Sequence, residues 1–149
     1  MMIYIASDHA GFQRKGMLKT YLAEQGHEVK DFGPEALDQQ DDYPDYAIPL
    51  AQAVAKDGVP GLLLCGNAEG VCIAANKVKG VRAAVGYSVD AAKTSRTDDD
   101  TNVFCIPGRA FSDADAKAMV DAWLRTPFSK AERHVRRLKK VSALEKTQN

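Results

Sequence analysis

The sequence predicts a doubly wound α/β domain, a mostly parallel five-stranded sheet with helices on both faces. Three observations carry this. Five short apolar or β-branched runs recur along the chain, each closed by Gly, Asp or Asn and each followed by apolar residues at helical spacing. Regular alternation of strand and helix requires crossover connections, and crossovers between parallel neighbours lay helices over both faces of a sheet. A length of 149 residues fits one such domain, 1–149, and is too short for two with full cores.

The expected strands are residues 3–6, 28–31, 61–65, 82–85 and 102–106. The helix after the first strand, 12–25, carries Leu18, Tyr21 and Leu22 at helical spacing. Residues 46–56, 71–77 and 89–96 read as the connecting helices, and 113–124 and 129–145 as two more after the fifth strand. The last is strongly charged, and its thin apolar stripe of Val135, Leu138 and Leu144 has little to bury on its own domain. This basic C-terminal helix is therefore expected to reach a partner subunit. Residues 33–45 read as a long loop, a feature often functional in compact domains.

Composition narrows the function classes. Hydrophobic residues make up 45% and charged residues 27%, as in an ordinary globular protein. Lys plus Arg and Asp plus Glu both number 20, so no global field draws the chain to nucleic acid or an anionic membrane. No apolar run approaches the roughly 20 residues of a membrane helix, and the N-terminus MMIYIASDHAG lacks the basic start and long apolar stretch of a secretion signal. The expected location is the cytoplasm, with no nucleic-acid or membrane partner. Cys65, Cys72 and Cys105 lack paired zinc-ligand spacing and read as free thiols, the latter two as small core residues.

Ligands of open α/β sheets sit at the carboxyl ends of the strands, near the point where strand order reverses. That places residues 7–11 (SDHAG), 65–70 (CGNAEG) and 97–102 (TDDDTN) on one expected rim. Cys65 stands at a strand tip before a small-residue turn that opens a helix, where backbone N–H groups and the positive helix end favour thiolate. The turn's N–H groups can also hold an oxyanion or phosphate. Asp8 and His9 are adjacent and diverge, so they reach different parts of a ligand or simply cap and border a helix. Tyr43 offers a phenol or packs beneath its loop. Arg133 and Arg137, four residues apart with His134 beside them, suit the oxygens of a phosphate or form a solvated face. Three successive carboxylates, 98–100, point different ways, so no metal is expected there.

Assembled, SDHAG, DYP, CGxxxGxxIAANK, the SR...DTN segment, PGR at 107–109 and RHxRR at 133–137 resemble the ribose-5-phosphate isomerase B family, which includes the galactose-6-phosphate isomerase subunits. The resemblance spans nearly the whole chain. It implies a Rossmann-like homodimer, sometimes a dimer of dimers, that interconverts aldose and ketose phosphates without metal or cofactor. By the same resemblance Cys65 is the base at C1 and C2, the turn from Gly66 through Asn67 to Gly70 stabilises the enediolate oxygen, and Asp8 assists ring opening. His9, Arg109, Arg133 and Arg137 hold the phosphate, the last two from the other subunit, with Tyr43 and His134 nearby.

The chain departs from the family pattern at several places. Asp98 stands where a ring-opening His is usual, and Asp99 where an Asn binds substrate hydroxyls. Ala68 replaces a usual Gly, which disfavours a positive φ in the turn. Val71 occupies the position of an alternative Glu base, which leaves Cys65 as the base. Two other functions compatible with these changes are a sugar-phosphate-binding protein with little isomerase activity and one subunit of a hetero-oligomeric hexose-phosphate isomerase.

Overall fold

The computed structural model describes residues 1–148. Five strands, β1 (Met2–Ser7), β2 (Glu28–Asp31), β3 (Gly61–Cys65), β4 (Ala83–Val85) and β5 (Val103–Pro107), form one sheet in the order β2-β1-β3-β5-β4. Every neighbouring pair is parallel, so the sheet is wholly rather than mostly parallel.

Side-chain parity divides the core into two layers, because successive residues of a strand face opposite sides. Ile3, Ile5, Leu62, Leu64, Phe104 and Ile106 pack under α1 (Phe12–Glu24), α4 (Val89–Asp99) and α5 (Asp113–Arg125). Tyr4, Ala6, Leu63, Cys65, Val103 and Cys105 pack under α2 (Pro44–Asp57) and α3 (Glu69–Asn76). Cys65 therefore emerges on the α2/α3 side, a consequence of its position in β3. Burying each large aliphatic side chain contributes about 1.5–3 kcal/mol, which the two continuous layers multiply.

Helix ends differ from the sequence expectation where turn chemistry decides. Helix α2 begins at Pro44, whose fixed φ suits the first helical turn, and so takes the end of the expected loop 33–45. Helix α4 runs on to Asp99 and stops where Asp100 turns left-handed at φ 46°, so its acidic end is helical. The last helix, α6 (Glu132–Lys146), cannot start at 129 because Lys130 sits at φ 58°. Its Val135 and Leu138 are half-buried, while Val141 and Leu144 remain exposed.

That α4 extension corrects one expectation. Residues 97–99 are the last turn of α4 and 100–102 link it to β5, so this segment enters β5 at the amino edge of the sheet. The cleft at the carboxyl edges of β1 and β3 is on the opposite rim. A segment preceding a parallel strand always lies on this far side, which the shorter helix at 89–96 had obscured.

Candidate active site

Strand order reverses between β1 and β3, where Ser7 pairs with Leu64, and both strands end there in polar turns. After β1, the Asp8 carboxylate accepts a hydrogen bond from Gly11 N at 3.0 Å and caps the short turn His9–Gly11. Asp8 N donates to Leu64 O at 3.1 Å and keeps that turn against β3. Gly11 is obligatory at this crossing, since a Cβ there would stand 2.6 Å from Leu64 Cβ.

After β3, Cys65 is 4% exposed and Gly66 begins the turn. Ala68 adopts φ 66°, the left-handed conformation the sequence disfavoured, and then α3 begins. Asn67 Oδ1 accepts from Glu69 N at 3.1 Å, which folds this side chain back onto the helix start. The exit of β5 runs alongside: Gly108 N donates to Cys65 O at 2.8 Å and Arg109 N to Gly66 O at 3.1 Å. The Arg109 guanidinium lies against Gly66, where a Cβ would be 3.4 Å from Nη1. Across the cleft, the Tyr43 ring rests on Gly70, where a Cβ would meet Cζ at 2.7 Å.

These turns enclose a cleft of about 520 Å³. Asp8, His9, Tyr43, Cys65, Gly66, Asn67, Gly70 and Arg109 line it together, with Ala10, Pro107 and Ala110. A buried thiol, a carboxylate, an imidazole, a guanidinium and a helix start in one concave site can bind an anionic ligand and move a proton on it.

Asp98, Asp99, Arg133, His134 and Arg137 are not in this cleft. They gather at the far rim, where Ser129 N bonds Thr97 O at 3.1 Å and joins α4 to the start of α6. His134 is buried, with Nδ1 2.8 Å from Ser129 Oγ and Nε2 3.6 Å from Asp98 Oδ1. Thr97 Oγ1 also donates to Asp98 at 2.8 Å. Asp99 lines a separate groove with Leu138, Val141 and Leu144, while Arg133 and Arg137 are exposed. Within one chain the expected site residues thus fall into two groups on opposite rims.

Two features escaped the sequence reading. Asp41, in the long loop, accepts from both the backbone N and the ring Nδ1 of His9, at 3.1 and 2.7 Å. Nothing in its sequence context marked it, because the contact depends on how the loop folds back over β1. Asp8, His9 and Asp41 also present ligand atoms within 4.8 Å of one another, a donor set of the size a cation uses. Here one Asp8 oxygen is engaged by Gly11 N and His9 Nδ1 by Asp41. The second feature is the thiol environment: burial pushes the Cys105 thiol well up, and its hydrogen bond holds the half-buried Cys72 below the ordinary thiol range. All three cysteines are free. No helix among the described residues is long and apolar enough to cross a membrane.

The all-parallel sheet, the cleft at its switch point and the thiol beside a helix start define a Rossmann-like α/β protein with a candidate site for an anionic ligand. The family described as Ribose/Galactose Isomerase matches residues 3–141, and the chain belongs to that family of aldose–ketose isomerases. It is 40% identical to ribose-5-phosphate isomerase B of Mycolicibacterium paratuberculosis over 148 residues, 99% of this chain and 93% of that protein. A probable ribose-5-phosphate isomerase B of Mycoplasma pneumoniae is 42% identical over 97% of this chain and 95% of its own length. Among solved structures, ribose-5-phosphate isomerase B of Mycoplasma genitalium with bound ribulose-5-phosphate superposes with a TM-score of 0.94 at 40% identity, covering 99% of this chain and 97% of that one.

Proposed function

We propose that the chain interconverts an aldose phosphate and a ketose phosphate, ribose 5-phosphate and ribulose 5-phosphate or a related pentose or hexose phosphate, through an enediolate and without a metal. The observation that carries this is the placement of Cys65 at the end of β3, in one cleft with Asp8, His9, Arg109 and the turn Gly66 to Gly70. The Cys65 thiolate removes the proton from C2 of the open-chain aldose, and the electron pair moves onto the carbonyl oxygen at C1. The proton then returns to C1 while the hydroxyl proton on O2 passes to O1, so the ketone forms at C2, O1 ends as a hydroxyl, and one base serves both carbons. N–H groups of the turn meet the enediolate oxygen where its charge develops. Asp8 assists ring opening, while His9, Arg109 and Tyr43 hold the far end of the substrate.

In this reading the two half-sites combine across a dimer. Arg133 and Arg137 of a second copy complete the phosphate clamp, with His134 behind them, and that copy's Asp98 and Asp99 face the sugar. The exposed Val141 and Leu144 are consistent with α6 packing on a partner. A homodimer or a dimer of dimers in the cytoplasm follows, with no nucleic-acid or membrane partner. Asp98 favours a second reading, a sugar-phosphate binder or a subunit of a hetero-oligomeric hexose-phosphate isomerase, because an ionised carboxylate is a poor ring-opening acid at neutral pH. Incubating the purified chain alone with ribose 5-phosphate, allose 6-phosphate and galactose 6-phosphate separates these. Ketose formed from any of them supports the isomerase; binding without turnover supports the second reading.

A further inference from the structure

His9 enters the cleft with one ring nitrogen already committed. Asp41 Oδ1 accepts the His9 backbone N–H at 3.1 Å and sits 2.7 Å from Nδ1, so a single oxygen fixes both the start of the turn and the plane of the imidazole. An ionised carboxylate only accepts hydrogen bonds, which makes Nδ1 the ring's fixed proton and leaves Nε2 as its free working atom. The Asp41 side chain is 4% exposed against 25% for His9, so the carboxylate lies behind the imidazole and does not meet ligand itself.

Other features show that this carboxylate is held at a cost. Its Oδ2 is buried and accepts no full hydrogen bond, an arrangement that is unfavourable, and more so for a charged group. Tyr46 packs nearby, and its phenol is pushed above the ordinary range by burial, then by the negative charge of Asp41 and by an approach to that carboxylate that falls short of a full hydrogen bond. A loop tether alone needs no buried charge, and an Asn would satisfy the backbone N–H equally well. The charge is explained if the imidazole must bind an anion as its cation.

We propose that Asp41 is the positioning residue of this site, orienting His9 so that Nε2 carries a proton toward the phosphate of the substrate. The assignment rests on the sugar-phosphate reading above and adds to it a residue that never touches the ligand. A phosphate in front and a carboxylate behind would sandwich the imidazolium, with charge-assisted hydrogen bonds on both sides. Asp41→Asn keeps an acceptor for the backbone N–H and removes the charge.

The test is a double-mutant cycle with His9→Ala, read in KM and kcat on ribose 5-phosphate and in binding of inorganic phosphate followed by the 15N signals of the His9 ring. Asp41→Asn should raise KM and the phosphate Kd about tenfold, the size expected when a charge-assisted hydrogen bond to the imidazole is weakened to a neutral one, with kcat within about twofold. In the His9→Ala background the same substitution should change neither constant. The parent's His9 should keep a proton on Nδ1 with and without phosphate, and its Nε2 signal should move when phosphate is added. An unchanged phosphate Kd in Asp41→Asn overturns the proposal, as does an equal loss with and without His9, which would mark a purely structural residue. Activity lost on dialysis against EDTA and restored by a divalent cation would also overturn it, by making Asp41 a ligand. If the parent turns over no sugar phosphate, the isomerase reading fails, while the phosphate titration still decides the role of Asp41.

Discussion

Gly70→Ala sets two effects of known size against each other. A Cβ at this position would lie 2.7 Å from Tyr43 Cζ and 2.9 Å from both Cε atoms. Carbon contacts are optimal near 3.5–4.0 Å, so the ring must retreat by about 1 Å, and overpacking of that kind costs about 1–3 kcal/mol. Gly70 is the second residue of α3, where Ala is favoured over Gly by up to about 1 kcal/mol. The clash wins in the parent, for a net loss of about 1–2 kcal/mol, a fall in Tm of roughly 2–8 °C in a chain this long. KM for the sugar phosphate should rise, because the displaced phenol lines the cleft. In a Tyr43→Ala background the clash is absent, so Gly70→Ala should instead raise Tm by a few degrees. Thermal unfolding of the four proteins, with KM for each active one, decides the matter. The same sign of Tm change in both backgrounds would refute the packing argument.

Three further outcomes follow from the half-sites and the core. A Cys65→Ala chain refolded with an Arg137→Ala chain should regain activity through mixed dimers holding one intact site; a monomer by sedimentation, or no recovery despite demonstrated subunit exchange, counts against the shared site. Asp98→His should raise turnover of cyclic ribose 5-phosphate and leave an open-chain four-carbon aldose phosphate nearly unchanged, since an imidazole exchanges protons near neutrality; equal rates on both substrates would remove position 98 from ring opening. Asp31 bonds Lys15 at 3.0 Å and Lys19 at 2.8 Å, and although burial pushes its carboxyl up, the Lys19, Gly33 N–H and Lys15 contacts together hold it below the usual range. A carboxyl with a depressed folded value adds stability that is fully present above its unfolded value, about 3.9, and is lost as pH falls through the folded one. Asp31→Asn should therefore destabilise the chain in urea unfolding at pH 7, where the buried Lys15 loses its carboxylate and keeps only Pro34 O, and the gap to the parent should narrow as pH falls through the depressed carboxyl value; a gap independent of pH would contradict this.

The fold was legible because its cues are local. The runs of β1, β3 and β5 are apolar on both faces, as parallel central strands must be, and the residues after Ser7, Cys65 and Pro107 break them with the turns that build the cleft. Helix ends were less legible, since Lys130 takes a left-handed conformation that its residue type does not advertise, and Asp100, a type that tolerates that conformation, is one of three successive aspartates. The cleft was half legible for a topological reason. Turns that follow strands fall on one rim in any parallel sheet, and these gave Asp8, Cys65 and Arg109; residues 97–102 precede a strand and fall on the other. Asp41 was invisible because its role depends on a loop folding across β1 to reach His9, a contact 32 residues distant in sequence.

The central claim is that Cys65 moves the proton between the two carbons. Loss of the C2 proton of ribose 5-phosphate to deuterated solvent, followed by NMR in the parent and in Cys65→Ala, tests it most directly. The account predicts exchange in the parent, a fall of about 10²-fold or more in the variant, and sugar-phosphate binding retained in both. A Cys65→Ala protein that exchanges the proton at more than about a tenth of the parent rate would contradict it.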